Sequence, residues 1–217
     1  ITVLVCGDEA YPFRLRECPD APLVLYYKGK GNLNARHAVS VVGTRHATRY
    51  GQEMTAALLD DLAALYPDTL IVSGLAYGID IAAHRQALAG GLPTVGVLAH
   101  GLDRIYPPAH RQTAIAMLEQ GGLLTDFPSG TNPDRPNFLK RNRIIAGLTE
   151  ATLVIESAEK GGSLVTAGLA LSYGRDVFAC PGRIGDLYSA GCNQLIRRQS
   201  AALITSARDL VDALGWQ

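Results

Sequence analysis

The sequence predicts a doubly wound α/β fold, in which a mostly parallel sheet is covered by helices on both faces. Three observations lead there. From residue 39 onward, short apolar or β-branched runs alternate with longer windows that are apolar at helical spacing. The short runs lack the apolar–polar alternation of a half-solvated strand, so both of their faces are expected to be buried, as in parallel sheets. With 217 residues, 47% hydrophobic, 18% charged and 23 of them glycine, the chain has the core and the turn formers for one such domain.

Residues 1–37 stand outside this alternation and read as a lead-in packed on the core. The stretch "AYPFRLRECPDAPLVLYYKGKG" contains one apolar run, Leu23–Tyr27, and a Lys-Gly turn, which predicts a short helix and one extra strand at the sheet edge. The main domain, 38–217, supplies strands at "AVSVVG" (38–43), "TLIVSG" (69–74), "PTVGVLAHG" (93–101) and "GLLTDF" (122–127). Three more follow at "ATLVIES" (151–157), "DVFACPG" (176–182) and "AALIT" (201–205). Helical windows such as "YGQEMTAALLDDLAAL" and "DIAAHRQALAGG" separate them, and Thr48 is placed to cap the first. Ser206 is placed to cap a terminal helix that carries Leu210, Val211 and Leu214 on one face.

Composition narrows the chemistry. The formal net charge is +0, so any site for a polyanion must be local. Cys6, Cys18, Cys180 and Cys192 form no C-x-x-C pair and have no histidines at ligand spacing, which argues for free thiols and against a metal site. No apolar stretch reaches membrane-spanning length and no signal peptide is visible, so a cytoplasmic protein without membrane contact is expected. The start at Ile1 raises the expectation that flanking domains lie outside the chain.

The turns at the strand ends carry the candidate site. In "VVGTRHATRYG", Gly43 ends a strand and Thr44 and Arg45 follow it. In "IVSGLAYGID", Ser73 ends the next strand and Gly74 and Gly78 bracket a tight turn that contains Tyr77. In "SAEKGGSLVTAG", Gly161, Gly162, Ser163 and Thr166 surround a further helix start. Glycines allow close backbone approach, and free N–H groups at a helix start attract anions, so several such turns on one rim point to phosphate. A dinucleotide site is disfavoured: the second glycine of G-x-G-x-x-G is missing after Gly43, and Ser73 stands where an acidic residue is wanted. No P-loop and no G-x-S-x-G occurs. Asp80 and His84 lie four apart, but Asp80 reads better as the cap of its helix than as half of a catalytic pair.

A local basic segment supplies the counter-charge. Residues 137–148, "NFLKRNRIIAGL", are read as a helix. At about 100° per residue, Lys140 and Arg143 fall on a narrow polar face, whereas Arg141 and Asn142 fall inside the apolar arc. Buried Arg and Asn must be hydrogen-bonded, so those two are assigned structural work, and Lys140 and Arg143 are the charges free to join Arg45 at the rim. Tyr77 and Phe138 each offer either a stacking surface for bases or a core side chain.

At these residues the chain resembles the DprA/Smf family of bacterial DNA-processing proteins. The matching segments are "VVGTR" (41–45), "IVSGLAYGIDIAAHRQAL" (71–88), "GLDRIYP" (101–107), "FLKRNRIIAGL" (138–148), "GGSLVTAGLA" (161–170), "GRDVFACPG" (174–182) and "GCNQLI" (191–196). The resemblance implies an extended Rossmann-like domain that binds single-stranded DNA, forms a homodimer and helps load RecA during natural transformation, with no reaction and no cofactor. It places Gly43, Thr44, Arg45, the 73–78 turn, Lys140, Arg143 and the Gly162–Thr166 turn around the DNA, and the dimer contact in 191–214. Where family members often carry a lysine, this chain has Pro108, so His110 or Arg111 is the expected substitute. Thr125–Asp126 replaces a Ser–Glu pair common in the family. "GGSLVTA" also resembles the phosphoribohydrolase family called lysine decarboxylase-like, an enzyme alternative, yet Gly168 and Leu169 occupy the positions of its catalytic Glu. A sensor of a nucleotide messenger is the remaining alternative.

Overall fold

The computed structural model describes residues 1–217. The lead-in holds β1 (Thr2–Val5), α1 (Phe13–Arg16) and β2 (Val24–Gly29). The alternating part begins with β3 (Ala38–Val42), α2 (Arg49–Leu65), β4 (Leu70–Ser73), α3 (Ile79–Ala89) and β5 (Thr94–Val97). It continues through α4 (Arg111–Gln120), β6 (Gly122–Thr125), α5 (Arg135–Gly147) and β7 (Ala151–Val154). It closes with α6 (Gly162–Ser172), β8 (Asp176–Ala179), α7 (Ala190–Arg197), β9 (Ala202–Leu203) and α8 (Ala207–Leu214).

All the strands join one nine-stranded sheet in the order β1-β2-β6-β5-β4-β3-β7-β8-β9. The strands from β3 to β9 pair in parallel, and only the lead-in strands run antiparallel. The strands from β3 to β7 are buried along their whole length, which explains why none of them alternates in sequence. One face is packed by α1, α5, α6 and α7, with Leu15, Ile144, Ala167 and Cys192 in its core. The other face is packed by α2, α3 and α8, with Leu59, Ile79 and Leu210, and by α4 through Ala114 and Met117. Ser206 caps α8 in a reciprocal capping box with Asp209.

The lead-in contains two strands where the sequence predicts one. Leu23–Tyr27 corresponds to β2, while β1 is the additional edge strand and pairs only with β2. Of its four residues only Leu4 is buried, so its periodic signal is too weak to read.

His84 on α3 faces the sheet. Its Nδ1 lies 2.7 Å from Thr94 Oγ1, whose hydroxyl donates to Ile71 O at 3.0 Å. The hydroxyl proton is committed there, so Nδ1 donates and Nε2 keeps the lone pair, buried and without a partner. Burial, His110 and Arg141 together oppose a second proton and lower the imidazole to about 3. As pH falls, the unfolded chain therefore gains the proton before the folded one does. Stability is expected to decline below about pH 6.5, at no more than about 1.4 kcal/mol per pH unit. Urea midpoints measured from neutral to mildly acidic pH check this, because His84→Gln should flatten the decline relative to the parent.

Candidate nucleic-acid interface

β3 and β7 are sheet neighbours, yet the chain moves from β3 toward β4 and from β7 toward β8, so a crevice opens beyond their carboxyl ends. The turn after β3 is built for close approach. A Cβ on Gly43 would lie 2.4 Å from Ile79 Cγ1. Thr44 N–H donates to Glu156 O at 2.8 Å, and Thr44 O accepts from Ile79 N–H at 3.1 Å. Glu156, buried just past β7, also accepts from Thr48 N–H at 2.9 Å and from the Thr48 hydroxyl at 2.6 Å. Thr48 Oγ1 in turn caps α2 by accepting from Gly51 N–H.

Gly78 closes the turn from the other side, at φ 79° and with Thr44 O only 2.1 Å from where a Cβ would stand. Gly78→Ala is expected to cost at least about 1–3 kcal/mol from its backbone conformation alone. Gly168, inside α6 with nothing within 4 Å of its Cβ position, should instead gain up to about 1 kcal/mol as alanine. Thermal unfolding of the two variants side by side checks the contrast.

The crevice is a groove of about 820 Å³ whose wall includes Arg45, Arg135 and Lys160. All three are exposed and none is in an ion pair. The Arg45 guanidinium lies 5.2 Å from the Phe138 ring centroid, and Tyr106 meets the same ring edge-on at 6.1 Å. α6 begins at the groove without a side-chain cap, and while Leu164 N–H donates to Gly161 O at 3.1 Å, the N–H groups of Gly162 and Ser163 are open to an anion. Gly161 lets that helix start lie close, since its Cβ would be 2.3 Å from Ser157 Oγ. The groove thus combines free cations, a helix N-terminus and an aromatic wall.

Below it lie the buried side chains of Arg141 and Asp80. Arg141 donates to Gly74 O at 2.6 Å and to Val97 O, and its Nε donates to Asn142 Oδ1 at 3.3 Å. Asp80 accepts from Ala76 N–H at 3.4 Å. Both side chains crowd Gly74, whose Cβ would lie 2.6 Å from Asp80 Oδ2 and 2.7 Å from Arg141 Nη1. Burial raises the Asp80 carboxyl against the pull of Arg141. Burial lowers Arg141 to about 10, which leaves it protonated at neutral pH. Arg141 thus ties the ends of β4 and β5 to α5 beneath the groove, and Asp80 holds the turn before α3.

The sequence-predicted residues divide into two groups. Gly43, Thr44, Arg45, Asp80, Arg141, Asn142, Gly162, Ser163 and Thr166 line the groove. The others do not. Ser73 is buried and donates to Val41 O at 2.6 Å, and Gly74 is buried over Arg141. His110 is buried with Nδ1 donating to Leu75 O at 2.8 Å, and Arg111 opens α4 outside the groove. Asp80 holds the turn before α3 from inside the helix, while Gly78 is the N-cap residue. Arg143 is turned away from the groove: it pairs with Asp126 at 2.5 Å and donates to Asp20 O, fastening the lead-in to the end of β6. Lys140 is exposed beside the groove but not in its lining. Tyr77 and Gly78 line a separate groove on the far side of the Arg45 turn.

Arg135, Lys160 and His46 are groove residues that the sequence reading passed over. α5 starts at Arg135, with Pro136 in its first turn, two residues before the helix inferred from 137–148. Proline at a helix start is the signal that would have included Arg135. Lys160 precedes the glycine pair whose backbone drew the attention.

Fold and groove together define a Rossmann-like α/β protein with a cationic cleft at the switch point of its sheet. The chain belongs to the DNA recombination-mediator protein A family, whose model matches residues 2–215. The DNA processing protein DprA of Streptococcus pneumoniae is 40% identical over 204 residues, covering 94% of this chain and 71% of the relative. The X-ray structure of DprA from that organism matches with a TM-score of 0.91 at 39% identity, over 97% of this chain and 73% of the other. DNA processing protein A from Helicobacter pylori, in a structure concerned with its single-stranded DNA binding mode, matches with a TM-score of 0.87 at 29% identity, over 98% of this chain and 94% of that one. The chain spans about half the length, 52%, of the Mycobacterium tuberculosis relatives it also matches.

Proposed function

We propose that this chain is a single-stranded DNA-binding module of natural transformation, which holds incoming DNA and presents it to RecA without reacting with it. The observation that carries this reading is the convergence of Arg45, Arg135 and Lys160, all unpaired, with the open start of α6 around Phe138. Cations and N–H groups suit phosphates, and an aromatic ring suits the face of any base. The Helicobacter pylori relative, matched over nearly its whole length, is described for its binding of single-stranded DNA. The one carboxylate in the groove lining, Asp80, is buried and accepts from the Ala76 amide, so the reading assigns no catalytic residue and no cofactor. The expected self-association region, 191–214, includes the edge strand β9 with exposed Leu203, which is consistent with a homodimer. No helix is long and apolar enough to cross a membrane.

The test is a salt titration of labelled oligo-dT binding, run beside sizing of the free protein. The logarithm of the affinity should fall linearly with that of salt, by about 0.7 for each phosphate neutralised. Binding that is absent at low salt, or indifferent to salt, would overturn the reading.

A further inference from the structure

The turn that carries Arg45 has two sides. One side walls the groove described above, and the other closes a second groove of about 860 Å³ between α2 and α3. The polar side chains of this second groove are Arg45, His46, Gln52, Tyr77, Arg85 and Gln86, and no carboxylate lines it. The chain carries as many acidic as basic residues, 20 of each, so a stretch with two arginines and no acid is a local departure from the average surface. Arg85 is exposed, belongs to no ion pair, and makes only a long contact of 3.5 Å to Thr113 Oγ1. Tyr77 is 51% exposed and stands edge-on against the buried His110, with centroids 4.8 Å apart. The ring is therefore supported from beneath while its outer part faces solvent. Neither group does work that the first groove explains. Arg45 and His46 line both grooves, so the two meet at this turn.

We propose that a single strand held in the first groove continues past Arg45 into the α2–α3 groove, where Arg85 neutralises a phosphate and Tyr77 stacks a base. This rests on the proposed function and extends it: longer strands would engage a second segment of the same protein. An exposed guanidinium with its fork uncommitted suits a phosphate, and a braced tyrosine suits a base of any identity.

The experiment compares oligo-dT of about 6 and about 20 nucleotides, one short enough to fill a single groove and one long enough for both. Arg85→Glu is expected to weaken the long oligonucleotide about 10-fold and to make its salt slope shallower by about 0.7, with the short one unaffected. Tyr77→Ser should weaken the long oligonucleotide without altering its salt slope, and Tyr77→Phe should retain binding, because stacking releases no counterion. Arg45→Glu should weaken both lengths. Equal losses for both lengths in Arg85→Glu, or no loss in either, would overturn the extended path while leaving the first groove intact. Failure of the parent protein to bind either length would overturn both readings.

Discussion

Arg45→Glu is expected to weaken oligo-dT binding by about one to two orders of magnitude at moderate salt and to reduce the salt slope by about 0.7. The size of the effect follows from where Arg45 sits. It is exposed, has no carboxylate partner, and lies 5.2 Å from the Phe138 centroid at the junction of the two grooves. On the proposed reading, reversing its charge would remove one phosphate contact and place a repulsive group where the two grooves meet. The fold should be unaffected, because the turn is held by the backbone of Thr44 and by Glu156, not by the Arg45 side chain. Fluorescence anisotropy against salt, with a thermal melt of the same sample, measures both. Unaltered affinity in a normally folded variant would mean that the strand does not pass this turn. Arg143→Glu provides a contrast: its partners are Asp126 and Asp20 O, so its main expected effect is on the anchoring of the lead-in.

Arg141→Met is expected to destabilise the protein by about 2–6 kcal/mol, because two buried carbonyls lose their donor at once. The guanidinium serves Gly74 O and Val97 O at once and offsets the charge of Asp80. Methionine fills much of the volume but leaves two carbonyls without their donor in a place without solvent, while the Asp80 carboxyl keeps its Ala76 amide and loses the positive charge nearby. Adding Asp80→Asn should recover part of the loss, since it removes the charge left without a counter-ion. Urea unfolding of the parent, both single variants and the double variant gives the coupling directly. Purely additive losses would show that the two side chains share space but not energy.

The alternation of apolar runs and helical windows made the parallel sheet legible, because strands buried on both faces cannot hide their composition. β1 was illegible for the opposite reason: one buried leucine among four residues carries no pattern. Within the site, glycines were the most readable residues, since Gly43, Gly161 and Gly162 mark close approach or a helix start regardless of the rest of the fold. The helical period set Arg141 and Asn142 inside the apolar arc, and of the two Arg141 is buried while Asn142 is half-buried. The same period misdirected Arg143. A polar face says only that a side chain leaves the core, and here the departing guanidinium meets Asp126 and Asp20 from distant parts of the chain. Tyr77 and Gly78 follow directly on Ala76, which lines the first groove, yet the turn sends both to the other side of Arg45. Which side of a turn a residue occupies is decided by tertiary packing, and no local spacing encodes it.

Glu156 has a consequence for what the cleft asks of its ligand. Its carbonyl and its carboxylate tie the turn after β3 to the end of β7, so that edge of the opening keeps the spacing of adjacent strands. On the proposed reading, a flexible strand laid along that fixed edge would do the bending itself. Pyrimidine tracts, which deform readily, should thread more easily than purine runs that resist unstacking, a preference born of polymer mechanics in a protein that need not read a single base edge.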